Sequence, residues 1–137
     1  MQGTRPLAVL ALALALALAT GCSTQRPVLN PHEPVPPSLN VSQSQMQAAI
    51  LAALQARDWT PTRVTPTEIS ASINVRNRHR AEIAIAYSPL DFDIQYRNSS
   101  GLNYENGEIH RNYNRWVNNL SNTILREIQT RAAIAGQ

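Results

Sequence analysis

The chain has 137 residues, a formal net charge of +3 and a single cysteine, which bounds it to one modest domain without an intrachain disulfide. All 12 basic residues are arginine; without Arg5, eleven remain against nine carboxylates, a balance too even to argue for a nucleic-acid partner. The sequence holds no Gly-rich phosphate loop, no His-x-x-x-His pair and no Asp-rich metal pattern, so neither a metal nor another cofactor is expected.

Arg5 precedes an almost unbroken Leu/Ala run, Leu7 to Ala19, which ends in Ala19-Thr20-Gly21-Cys22. This is the layout of a secretory signal over residues 1–21, too short and wrongly flanked to span a membrane. The small-residue run abutting Cys22 resembles the lipobox of bacterial lipoproteins. The resemblance implies cleavage before Cys22, lipidation of that residue and anchoring worth roughly 0.8 kcal/mol per buried methylene. It also implies that the chain's one thiol is consumed. In such proteins an aspartate after the cysteine retains the product in the inner membrane. Ser23 stands there instead, so the expected location is the outer membrane, with the domain facing the periplasm.

Residues 22–41 read as the lipidated cysteine followed by a linker. Pro27, Pro31, Pro34, Pro36 and Pro37 interrupt it, and it lacks apolar periodicity. An extended segment at ~3.1 Å per residue would hold the domain tens of ångströms from the bilayer. The folded part is expected over 42–137. Met46, Ala49, Ile50, Ala53 and Leu54 recur at helical spacing, with Ser42 or Ser44 as N-cap and Gln45 completing a capping box with Ser42. Pro61 forbids continuation, and Trp59 is expected to fold back on the core. The connection to Thr67 reads as turn.

Three alternating runs follow. Ile69, Ala71, Ile73 and Val75 share one face; Ala81, Ile83, Ile85 and Tyr87 share the next; Phe92, Ile94 and Tyr96 share the third. Face identity calls for an odd first hairpin loop, Asn77-Arg78-His79, which sets Arg76 opposite Arg80. It calls for an even second loop, Pro89-Leu90 or a four-residue equivalent, which sets Ile85 opposite Ile94, Ile83 opposite Tyr96 and Glu82 opposite Arg97. After a loop and a turn at Asn106-Gly107, a long helix begins near Asn112, with an apolar stripe of Tyr113, Trp116, Val117, Leu120, Ile124, Ile128 and Ala132 and with Gly136 past its end. The expected fold is α+β: a two-layer α-β-β-β-α domain, a three-stranded antiparallel meander with both helices on one face.

Asp58-Trp59, Leu102-Asn103-Tyr104 and Ile109-His110-Arg111-Asn112-Tyr113-Asn114-Arg115-Trp116 together resemble a family of small, largely uncharacterised proteobacterial outer-membrane lipoproteins. The resemblance covers roughly residues 46–126 and implies an extent and a location but no particular activity. Two groups are candidate contacts with a ligand or partner. Tyr104, His110 and Arg115 combine stacking, hydrogen-bonding and cationic chemistry suited to a glycan such as peptidoglycan. Arg76, Arg78 and Arg80 crowd the first hairpin tip, where phosphates or carboxylates would be met. The outer sheet face, small at Ser70, Ser72, Ala84 and Ala86, is a third surface. His110 is the sole well-placed base, which makes a small hydrolase a remote reading. The leading expectation is a non-enzymatic envelope lipoprotein acting through protein contacts, with an envelope protein as partner; a glycan-binding module is the alternative.

Overall fold

The computed structural model describes residues 23–136; the expected signal region, residues 1–21, and Cys22 lie outside the described residues. In chain order the elements are β1 (Gln25–Pro27), β2 (His32–Pro34), a 3-10 turn (Pro37–Leu39), α1 (Gln43–Ala56), β3 (Thr60–Val64), β4 (Glu68–Val75), β5 (His79–Ser88), β6 (Asp91–Ser100), β7 (Glu108–His110) and α2 (Arg111–Ala135). The class is α+β with antiparallel sheets, but the expected three-strand meander is the middle of a five-stranded sheet ordered β2-β6-β5-β4-β3, beside a two-stranded β1-β7 ribbon.

The alternation of β4, β5 and β6 does what its period dictates. Ile69, Ala71, Ala81, Ile83, Ile85, Phe92 and Ile94 are all buried, in one cluster with Met46, Ile50 and Leu54 of α1 and with Tyr113, Val117, Leu120 and Ile124 of α2. Each such large apolar side chain stabilises the fold by roughly 1.5–3 kcal/mol. The first helix starts as its sequence specifies: Ser42 Oγ accepts from Gln45 N at 3.1 Å, and Gln45 Oε1 accepts from Ser42 N at 2.8 Å. Its exit is a left-handed cap in which Trp59 N donates to Leu54 O at 2.9 Å and Asp58 N to Gln55 O at 3.3 Å. Asp58 occupies the left-handed position, φ +62°, where glycine is usual. Trp59 then packs into the core at 3% exposure.

Two pairings hold as the face rule requires. Pro89-Leu90 closes the second hairpin, with Ser88 opposite Asp91, and Ile85 and Ile83 face Ile94 and Tyr96. Two others differ. The first loop is Arg76-Asn77-Arg78, with Val75 opposite His79, so Arg80 faces Asn74 and the Arg76–Arg80 pair does not form. The parity rule fixed the face but allowed a shift of one residue pair. Arg76 and Asn77 both adopt left-handed backbone, φ +55° and +54°, which closes a three-residue loop one position earlier than expected. A bulge between Glu82 and Ile83 then places Asn98 rather than Arg97 opposite Glu82.

The linker reading of 22–41 is corrected from Gln25 onward. Gln25, Arg26 and Pro27 pair with His110, Ile109 and Glu108, and His32, Glu33 and Pro34 pair with Asp93, Phe92 and Asp91. Asn114 staples the intervening chain, its Oδ1 accepting from Leu29 N and its Nδ2 donating to Pro27 O, both at 2.9 Å. Pro31, Val35 and Val41 are buried. The prolines are tolerated because β2 is an edge strand, where a missing N–H breaks no ladder bond. The turn-rich connection after Trp59 likewise contains an edge strand, β3, with its register shift beside Pro61.

Candidate functional site

The start of α2, after β7, holds two of the first group of candidate residues, His110 and Arg115. His110 is the N-cap of α2: its Nδ1 accepts from Asn112 N at 3.2 Å, which leaves the ring proton of the neutral side chain on Nε2. Tyr113 is fully buried, and burial, with Tyr96 adding to it, pushes its hydroxyl above the ordinary phenol range. Tyr96 stands between two rings, stacked on Tyr104 at 4.5 Å between centroids and edge-on to Tyr113 at 5.5 Å. Tyr104 is thus a half-exposed lid on an aromatic column, and Arg115 is exposed on the helix surface. Among the described residues, Tyr104, His110 and Arg115 line none of five surface cavities of about 220–540 Å³. The fold brings them to one end of the molecule, outside the walls of those five cavities.

The arginine hairpin tip is braced from the far side. His79 Nδ1 donates to Gly101 O at 2.8 Å, and Gly101, φ +74°, lies so close that a Cβ there would sit 1.9 Å from Arg78 O. Arg78 and Arg80 are exposed. Arg76 turns out differently from the other two, because it lines a cavity of about 480 Å³ between the end of α1, the β4–β5 hairpin and α2. Its other walls include Asp58, Trp59, Asn74, Trp116 and Asn119. Nothing in the spacing of these residues joins them. The one local signal is Asp58, a charged residue at a helix-terminal position that favours glycine.

The outer sheet face keeps the small side chains that its alternation specifies. Ser72 lies beside Glu82, Ser70 beside Ala84 and Glu68 beside Ala86. Gln95 and Asp93 continue the second and third of these rows onto β6. At the β2 edge, His32 Nε2 and Asp91 Oδ2 pair at 3.0 Å. The Asp91 hydrogen bond is the main cause that raises the imidazole above its usual 6.5; the Ser88 hydroxyl first, and His32 second, hold the Asp91 carboxyl below its usual 3.8.

No group of three or more His, Cys, Asp or Glu side chains among the described residues is placed to hold a metal ion. No helix among them is long and apolar enough to cross a membrane. No family model matches the chain, and neither does any curated protein.

Proposed function

We propose that this chain is a lipid-anchored protein of the outer membrane, its domain in the periplasm, that works without catalysis as an accessory or assembly component through contact with another envelope protein. The anchor rests on the small-residue run into Cys22. The contact rests on one observation: one face of a five-stranded sheet carries Ser70, Ser72, Ala84 and Ala86 in adjoining rows, while the core residues of both helices pack against the other face. Short side chains let a partner approach the sheet closely at small desolvation cost. Glu82, Asp93 and Arg97 around them supply charge for specificity. Strand addition at an edge is the weaker route, since Pro34 lies in edge strand β2 and Pro61 in edge strand β3.

The packed N-terminal segment sharpens how such an anchor would work. Cys22 precedes β1 by three positions, and Arg111 N already donates to Thr24 O at 2.9 Å. A chain that short reaches about 10 Å when fully extended. The domain then rides at the bilayer surface rather than on a long tether.

The test is a photoreactive residue placed at Ala86 or Glu82 in intact cells. A discrete adduct with one envelope protein, absent when the probe sits at Gln129 on α2, is the expected result. Adducts with lipid alone, or the same pattern from all three positions, count against the reading.

A further inference from the structure

The cavity behind the first hairpin is separate from the sheet face proposed as a contact surface. It is lined by the inner-face residues Ile73 and Val75, by the end of α1 and by Trp116 and Asn119 of α2. At about 480 Å³ it is of a size that takes a small ligand. Three features of its walls point to what that ligand is.

The first is an unsatisfied donor. Trp59 is 3% exposed and lines the cavity, yet its indole Nε1–H has no hydrogen-bond partner. A buried N–H left unpaired costs about 1–3 kcal/mol, which an acceptor reaching it from the cavity would recover. The second is charge. Arg76 and Arg57 stand on the rim against one carboxylate, Asp58, and Arg57 already spends its Nε on Thr123 Oγ1 at 2.9 Å. The balance favours an anion, held chiefly by Arg76. The third is backbone conformation: Arg76 and Asp58 face the cavity from left-handed positions that arginine and aspartate occupy at a cost which glycine would not incur. Neither charge is needed for the turn it occupies.

Asn74 and Asn119 add amide donors and acceptors, and Trp116, half-buried, adds an indole surface. An acceptor for Trp59, an anion for Arg76, hydroxyl or amide hydrogens for Asp58 and a flat apolar face for Trp116 coincide in one class of molecule. We propose that this cavity is a binding site for a carboxylated, N-acetylated saccharide of the peptidoglycan type, with Arg76 on its carboxylate and Trp59 Nε1–H on an acetamido or ring oxygen.

The probe is the disaccharide of N-acetylglucosamine and N-acetylmuramic acid, titrated into the full mature protein while Trp fluorescence is followed. Saturable binding at least tenfold tighter than that of the neutral N-acetylglucosamine disaccharide is expected. Equal affinity for the two, no saturation at millimolar concentration, or tighter binding of a free stem peptide overturns the assignment. Arg76→Gly removes the guanidinium and relieves the backbone. It should weaken the acidic disaccharide at least tenfold while melting no lower than the wild type; unchanged affinity places the site elsewhere. Trp59→Phe keeps the ring and removes only the N–H, so a several-fold loss is expected. Where that variant fails to fold, Arg76→Gly decides alone.

Discussion

Gly101 gives the sharpest quantitative test of the fold. Two glycines among the described residues have positive φ, Gly101 at +74° and Gly107 at +78°, yet their surroundings differ completely. A Cβ on Gly107 meets nothing within 4 Å, whereas on Gly101 it meets Arg78 O at 1.9 Å, Arg78 C at 3.0 Å and His79 Nδ1 at 3.3 Å. Alanine at either site incurs the left-handed cost of roughly 1–2 kcal/mol. At Gly101 the backbone of the neighbouring hairpin must also retreat by more than an ångström. That retreat breaks the His79 Nδ1–Gly101 O bond and loosens the Arg80–Ser100 end of the β5–β6 ladder, at about 1 kcal/mol for each hydrogen bond lost. Gly101→Ala should therefore destabilise by about 3–4 kcal/mol and Gly107→Ala by about 1–2 kcal/mol. Urea unfolding of the two variants side by side reads the difference, and for a domain of this size Gly101→Ala should melt roughly 10–20 °C below the wild type. Equal losses at the two glycines would refute the close packing of β6 against the first hairpin tip.

Three further outcomes are expected. Ser42→Ala removes the acceptor for Gln45 N and should cost about 1 kcal/mol in chemical denaturation. Tyr113→Phe deletes a buried hydroxyl that has no hydrogen-bond partner, so stability should hold or rise by up to about 1 kcal/mol; a clear loss would mean that the hydroxyl is bonded in solution. The His32–Asp91 pair has a defined pH window. The raised imidazole contributes fully below 6.5 and loses its contribution as pH rises through its folded value; the lowered carboxyl contributes above 3.8 and loses its share as pH falls through its own. The attachment of β2 is thus firmest between those limits. An NMR titration should place His32 above 6.5, returning toward it in Asp91→Asn, and no change between the two would contradict the pairing.

How much of this was legible in the sequence depended on local periodicity. The inner faces of β4, β5 and β6 and the stripe of α2 were readable because long runs average out exceptions. The Ser42–Gln45 capping box was readable because it closes within four residues. Strands β1, β2 and β7 span three residues each, too short to show a period of two, and prolines in β1 and β2 made them look like tether. Their partners lie far along the chain, as Asn114 on Pro27 and Leu29 illustrates. The same limit applied to the sites. Tyr104, His110 and Arg115 are close in sequence and share one end of the fold, but His110 is spent on capping and Tyr104 on stacking. The cavity behind the first hairpin joins Asp58 and Trp59 to Arg76 and to Trp116, three segments with no shared spacing. Among the arginines of the hairpin tip, Arg76 is set apart by its left-handed backbone and its place in the cavity wall, and both follow from the loop beginning one position earlier than the alternation suggests.

The central claim is that Cys22 carries this domain at a membrane. Intact-mass analysis of the chain recovered from the membrane fraction tests it most directly. A mature chain beginning at Cys22, heavier than its sequence by a diacylglyceryl group and an N-acyl chain, is the predicted result. A chain beginning elsewhere, or one beginning at Cys22 with a free thiol, would contradict it.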